Sequence, residues 1–278
     1  MKLLKYIQLL GLAVVIALSV SFCTTQAMVS GGAKLLQAAT LSDAEIQAYV
    51  KTYVDYYDAQ NKVLPENNAY TQRLRRITNG ITQVDGTPLN FKVYQTSDVN
   101  AFACADGSVR VYTGLLDLMT DDEVLGVVGH EIGHVGLKHS KKQFQQALVS
   151  AAVREGLVST GGVVGALSAS QLGDVAESLA SSHFSRQQES QSDDYGYNFL
   201  VQNGKNPWAM AMAFEKLQAL ENNANTAAAV NNLFSSHPDI ESRIKTMSDR
   251  ATKDGYKRPA ATSNKSTGKT TTKSSTKK

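Results

Sequence analysis

Residues 120–134 read TDDEVLGVVGHEIGH, and the reading of the chain turns on them. Thr120 followed three residues later by Glu123 is a capping box: the hydroxyl takes a backbone N–H of the first turn, and the carboxylate reaches back to the cap. The apolar positions that follow predict a long helix, with helical context continuing through VGLKHSKKQFQQAL. On that helix His130 and His134 are rotated by about 400° and lie about 6 Å apart along the axis, so both rings leave one face. Two imidazoles in that relation converge on one zinc ion, while Glu131 falls beside the metal-bound water. Two exposed helical histidines beside a chance glutamate would be the bland alternative, and the features that follow weigh against it.

A catalytic zinc needs a third protein ligand and one open position. His139 is close in sequence, but a third histidine in the H-E-x-x-H-x-x-G-x-x-H arrangement requires Gly at 137 and His at 140, where Leu137 and Ser140 stand. Nine residues from His130 on a continuous helix is also about 900°, the opposite face, so His139 reads as a surface or packing histidine. Glu189 is the better ligand. It and Asp193 are four apart on a predicted helix, so their carboxylates share a face. One can ligate zinc and the other can accept from the free ring N–H of a zinc-bound histidine. Asp194 beside them shows that a solvated acidic face is the competing explanation. His183 is read as structural.

Outward from this centre the pattern is α+β and mainly helical. Ser42-Asp43-Ala44-Glu45 is a second capping box and opens a helix toward Val63; another runs from about Asn68 to Ile81. Residues 90–97 and 108–113 alternate like half-buried strands, with Asn100–Cys104 as an extended piece between them. After the glycine-rich span 156–173 a helical pattern runs from Asp174 to about Gln202. Asn206-Pro207 opens a helix to about Asn222, and a last helix covers Asp239 to Ala251.

The ends differ from this body. Residues 1–22 carry Lys2 and Lys5 and then an apolar heart from Leu9 to Val20, an export-signal pattern with a core shorter than the roughly 20 residues a bilayer requires. Cys23 follows it where bacterial lipoproteins are cut and lipidated, although Phe22 is bulky for that signal; cleavage after Ala27 and an uncleaved anchor are the alternatives. With Cys23 lipidated, Cys104 has no disulfide partner, since the chain holds two cysteines. Residues 251–278 hold seven Lys, one Arg and one Asp, so the overall charge of +3 conceals an acidic body with a basic tail. That distribution does not suit nucleic-acid binding, which needs basic residues clustered on a folded face. The expected organisation is a signal at 1–22, a linker at 23–40, a metallopeptidase domain at 41–252 and a basic, disordered Ser/Thr/Lys-rich tail at 253–278.

His130–His134, Glu189 and Asp193 after Ser185-Arg186, Asn100-Ala101-Phe102-Ala103 and His237-Pro238 together resemble the HtpX/CAAX-protease family of gluzincins, in particular its periplasmic lipoprotein branch. The likeness spans roughly residues 35–250 and includes DVNAFA, RVYTGL, TDDEV and SQLGD. The resemblance implies a zincin-like core whose small sheet has an edge strand flanking the active-site helix, and one zinc per chain. It implies that Asn100, Ala101, Phe102 and Ala103 bind the backbone of an extended substrate. It further implies that His237 either stabilises the oxyanion or caps the metal in a latent state, with Arg243 in support. Cys104 and the Ser-Gln-Ser between Glu189 and Asp193 depart from the family's pattern. The expected function is a zinc endopeptidase of the bacterial cell envelope, lipid-anchored through Cys23 to the outer membrane and acting on unfolded or misassembled envelope polypeptides. An assembly factor or chaperone with a latent protease site is the runner-up, motivated by the 156–173 span as a lid. A purely structural zinc site is disfavoured, because three ligands plus an adjacent glutamate leave a position open.

Overall fold

In the computed structural model the chain is described for residues 41–154, 168–230, 233 and 236–260. The segment 1–22, Cys23, the linker 23–40, most of the glycine-rich span and residues 261–278 lie outside the described residues. Two helices lead in: α1 (Asp43–Gln60), with the Ser42/Glu45 capping box closed on both sides, and α2 (Ala69–Ile77), capped by Asn68. A short antiparallel ribbon of β1 (Gln83–Val84) and β2 (Thr87–Pro88) precedes the main sheet. That sheet holds β3 (Asn90–Tyr94), β4 (Ala101–Ala103) and β5 (Ser108–Tyr112) in the order β3-β5-β4. β5 is central and buried along its whole length. It runs parallel to β3, with Lys92 opposite Arg110, and antiparallel to β4, with Phe102 opposite Arg110. β4 is therefore an edge, as expected for the extended piece at 100–104.

After α3 (Thr113–Leu118) comes α4 (Asp121–Gly136), whose Thr120/Glu123 capping box is complete. α4 is buried on nearly every side and carries the HEIGH stretch through the middle of the molecule. It does not continue as the sequence suggested. The chain breaks at Leu137, passes through Lys138 at φ +61° and restarts as α5 (His139–Arg154).

The single helix expected over 174–202 is two. α6 (Ala169–Ala180) starts inside the glycine-rich span, and Ser185 then caps a new start for α7 (Arg186–Gln202) with a capping box to Gln188. α8 (Trp208–Glu221), a 3-10 turn (Ala227–Val230) and α9 (Ile240–Lys253) complete the described elements. The packed chain also runs past residue 252, where the tail was expected to begin. Tyr256 joins the core, its carbonyl accepts from the Trp208 indole at 3.0 Å, and Arg258 pairs with Glu215. One apolar core lies under the sheet, α4, α7, α8 and α9; a second joins α1 to α5 and α6. Among the described residues no helix is long and apolar enough to cross a membrane.

Candidate active site

The site exists because α4 and α7 touch at backbone distance. A Cβ on Gly129 would stand 2.8 Å from the Phe199 ring and 3.2 Å from the Gly196 Cα, and one on Gly196 would stand 3.0 Å from the His130 backbone nitrogen. Any side chain at either position would push the helices apart. With both bare, Glu189 and Asp193, one turn apart on α7, face His130 and His134 on α4.

Four side chains meet there: His130, His134, Glu189 and His237, all buried, each offering one donor atom within 4.8 Å of the others. His134 Nε2 lies 3.1 Å from His130 Nε2 and 3.3 Å from Glu189 Oε1. His237 Nδ1 lies 3.3 Å from His130 Nε2 and 3.0 Å from Glu189 Oε1. Donors held tetrahedrally about 2.0–2.1 Å from a zinc ion stand about 3.3 Å from one another, so these spacings are those of a metal cage. The donor chemistry agrees: three ring nitrogens and a carboxylate oxygen crowd lone pairs inward with too few protons to link them all. The residues fit zinc.

Beyond the donors, each partner fixes the atom it touches. Asp193 Oδ1 lies 2.9 Å from His130 Nδ1, nearer than Arg243 Nη2 at 3.3 Å, so the proton on Nδ1 goes to the carboxylate and Nε2 is left to face the cluster. Arg243 clamps Asp193 with Nε at 2.8 Å and Nη2 at 2.6 Å, lies over the Phe214 ring, and brings Nη1 to 2.6 Å from Glu189 Oε2. That last contact is an ion pair without hydrogen-bond alignment, and Glu189 Oε2, also 3.7 Å from His130 Nε2, receives no hydrogen bond. Phe184 stacks on His134 at 3.8 Å, and its N–H donates to the carbonyl of Ser236, tying the segment before α7 to the one that carries His237.

Burial would raise the Glu189 and Asp193 carboxyls. For Glu189 the charge of His237 and hydrogen bonds from His134 and His237 outweigh it, and for Asp193 the Arg243 guanidinium does, so both lie below the ordinary range. At Glu131 burial wins over His237 and His130, and its carboxyl is pushed up. The Glu131 carboxylate stands 3.6 Å from His237 Nε2 and faces a cleft of about 400 Å³. Aromatic rings of Tyr53, Tyr57, Phe102 and Phe144 line this cleft, and β4 forms one border. Along β4 the ladder to β5 uses Asn100 and Cys104, so the backbone groups of Ala101 and Ala103 turn the other way. There the Ala101 N–H meets the Asn100 side chain at 2.9 Å, and the Ala103 carbonyl accepts from Ser140 Oγ at 2.9 Å. Cys104 is a free thiol on the cleft, raised by burial.

The sequence missed His139. It is not on an opposite face: the break at Lys138 turns α5 back so that His139 is buried with Nδ1 3.2 Å from His134 Nδ1. No glycine marks that break, because Lys138 itself takes the left-handed conformation. Phe184 and Ser140 carried none. His183 is exposed, and Asp194 is an exposed partner of Arg250. Cys23 lies outside the described residues.

The family model for peptidase family M48 matches residues 67–251. The chain is 42% identical to metalloprotease LoiP of Escherichia coli, over 88% of this chain and 98% of that protein. It is 39% identical to metalloprotease YcaL of Escherichia coli, over 81% and 87%. It is 28% identical to the beta-barrel assembly-enhancing protease of the same organism, over 59% of this chain and 35% of that protein.

Proposed function

The chain belongs to peptidase family M48 and is a zinc-dependent metalloendopeptidase, and from that premise we propose which residues perform the cleavage and on what. His130, His134 and Glu189 hold the zinc; the donor spacing near 3.3 Å is the observation that carries this reading. When bound, zinc supplies Lewis acidity, polarising a carbonyl and making water nucleophilic near neutral pH. Glu131 takes the proton of the attacking water and returns it to the leaving amine, a role suited to a carboxyl whose burial raises its proton affinity. Asp193 holds His130 in the tautomer that presents Nε2, and Arg243 neutralises the surplus carboxylate charge of Asp193 and Glu189. The substrate lies as an extended strand against β4, taking the cleft-side backbone groups of Ala101 and Ala103, with Asn100 at the start of that edge. A strand-shaped site of this kind accepts only unfolded or locally opened chains.

His237 supplies a fourth protein donor, so the set as folded leaves no position open. His237 would therefore cap the metal at rest and would have to withdraw for substrate to enter. This supports a latent enzyme, and it is also the observation that favours an assembly-factor role in which cleavage is occasional. The cellular setting follows from the signal at 1–22 and Cys23: export, a lipid anchor in the outer membrane, and envelope polypeptides as substrates in protein quality control. The organisation proposed is signal, linker, peptidase domain and basic tail, with the packed domain extending to Arg258.

Glu131→Gln tests the chemistry. The variant retains stoichiometric zinc, and proteolysis of an unfolded protein falls by about two to four orders of magnitude. Undiminished cleavage would remove Glu131 from the mechanism. Equal rescue of envelope defects by this variant and by the wild type would favour the non-proteolytic role.

A further inference from the structure

We propose that His139 is a positioning residue for the metal site: as the acceptor of the His134 Nδ1 proton, it fixes the tautomer and ring orientation in which His134 presents Nε2 to the ion. The inference rests on the zinc-ligand reading of His134. His134 Nε2 is the atom turned into the cluster, at 3.1 Å from His130 Nε2 and 3.3 Å from Glu189 Oε1. A ring that coordinates through Nε2 carries its proton on Nδ1. That proton needs an acceptor, because His134 is completely buried. The nearest partner is His139 Nδ1 at 3.2 Å, which therefore accepts and carries its own proton on Nε2. Ser192 Oγ, 3.5 Å from the same His139 nitrogen, is too distant to compete well for it.

The two motif histidines are thus held by different means. His130 leans on a carboxylate clamped by an arginine; His134 leans on a neutral ring and the face of Phe184. A neutral acceptor beside His134 avoids adding another buried charge to a cluster already holding Glu131, Glu189 and Asp193. The geometry depends on the helix break, because Lys138 at φ +61° turns the start of α5 back toward α4. A continuous helix would have carried His139 away.

The test uses the full-length protein with zinc loaded. In the wild type, 15N-labelled at histidine, the proposal requires a scalar coupling between His134 Nδ1 and His139 Nδ1 across the shared proton, with His139 protonated on Nε2. His139→Phe keeps a ring of similar size but no acceptor, and its zinc affinity, read by competition with a chelator, falls by about 10- to 100-fold. His139→Gln, whose amide oxygen can accept, recovers most of that loss. Affinity within twofold of wild type in the phenylalanine variant would overturn the proposal. So would equal loss in both variants, which would mean that an acceptor at position 139 does not restore the affinity. If His139→Phe fails to fold, the coupling and the glutamine variant still decide. Failure of the wild type itself to bind zinc through His134 would instead overturn the ligand assignment.

Discussion

Two charged clusters, one partly buried around Asp58 and one buried around Glu189, behave oppositely. Around Asp58 every charge is answered. Arg110 donates Nε at 2.8 Å and Nη2 at 3.0 Å to the Asp58 carboxylate, Lys92 adds a contact at 2.7 Å, the Tyr94 hydroxyl donates as well, and the remaining Arg110 nitrogen takes the Asn90 and Val109 carbonyls. Around Glu189 the atoms are as close, but most are acceptors. Three histidine nitrogens and a carboxylate oxygen point at one another, and one buried carboxylate oxygen has no aligned donor. A cluster that closes upon itself braces α1 to the central strand. One with surplus lone pairs is waiting for a cation.

Removing one member from each should separate them. Glu189→Ala is expected to have the largest effect: proteolysis falls by roughly three orders of magnitude or more, matching the loss of several kcal/mol of Lewis-acid stabilisation, and zinc is lost on dialysis, because the donor left in place of the charged carboxylate is His237, the one that withdraws for substrate. Metal content measured beside activity checks it; retained stoichiometric zinc would break the distinction.

The Asp58 cluster should instead show itself in acid. Burial tends to raise that carboxyl, but hydrogen bonds from Arg110, Lys92 and Tyr94 prevail and bring it from 3.8 to about 2. A carboxyl depressed on folding contributes fully above its unfolded value and loses the contribution as pH falls through the folded one. Discounted for solvent screening at this half-buried site, about 1 kcal/mol of stability should therefore disappear as pH falls from about 4 through 2. Denaturant titrations across that range should show the acid limb in the wild type and a shallower one in Asp58→Asn, with zinc content at neutral pH unchanged in both.

The smallest effect probes the overfull character of the metal cluster. His237→Ala removes the fourth donor yet leaves three ligands, so zinc stays bound and basal cleavage of an unfolded substrate rises by roughly two- to tenfold, since a larger fraction of molecules is competent. A hundredfold fall in kcat would place His237 on the oxyanion instead.

How much was readable depended on how local the cause was. The Thr120 and Ser42 capping boxes fixed helix starts to the residue, because a cap is a contact between neighbours in the chain. The break inside 174–202 is local too, since Ser185 caps a new start with a Ser-x-x-Gln box, but the polar pattern continues across it and hides it. A continuous helix would put His139 on the far face, and its place beside His134 follows from a left-handed Lys138 that no glycine announces. Tyr256 and Arg258 looked like tail, yet their partners Trp208 and Glu215 lie over forty residues away.

The sequence alone determined the chemistry: a His-Glu-x-x-His helix and an acidic pair one turn apart can converge on a metal because helical periodicity aligns them whatever surrounds them. Only the tertiary structure decided which further groups join. Contacts such as His237 with Glu189, Arg243 with Asp193 and His139 with His134 depend on helix breaks and on the bare backbones of Gly129 and Gly196 meeting, and no periodicity along the chain encodes how closely two distant helices approach.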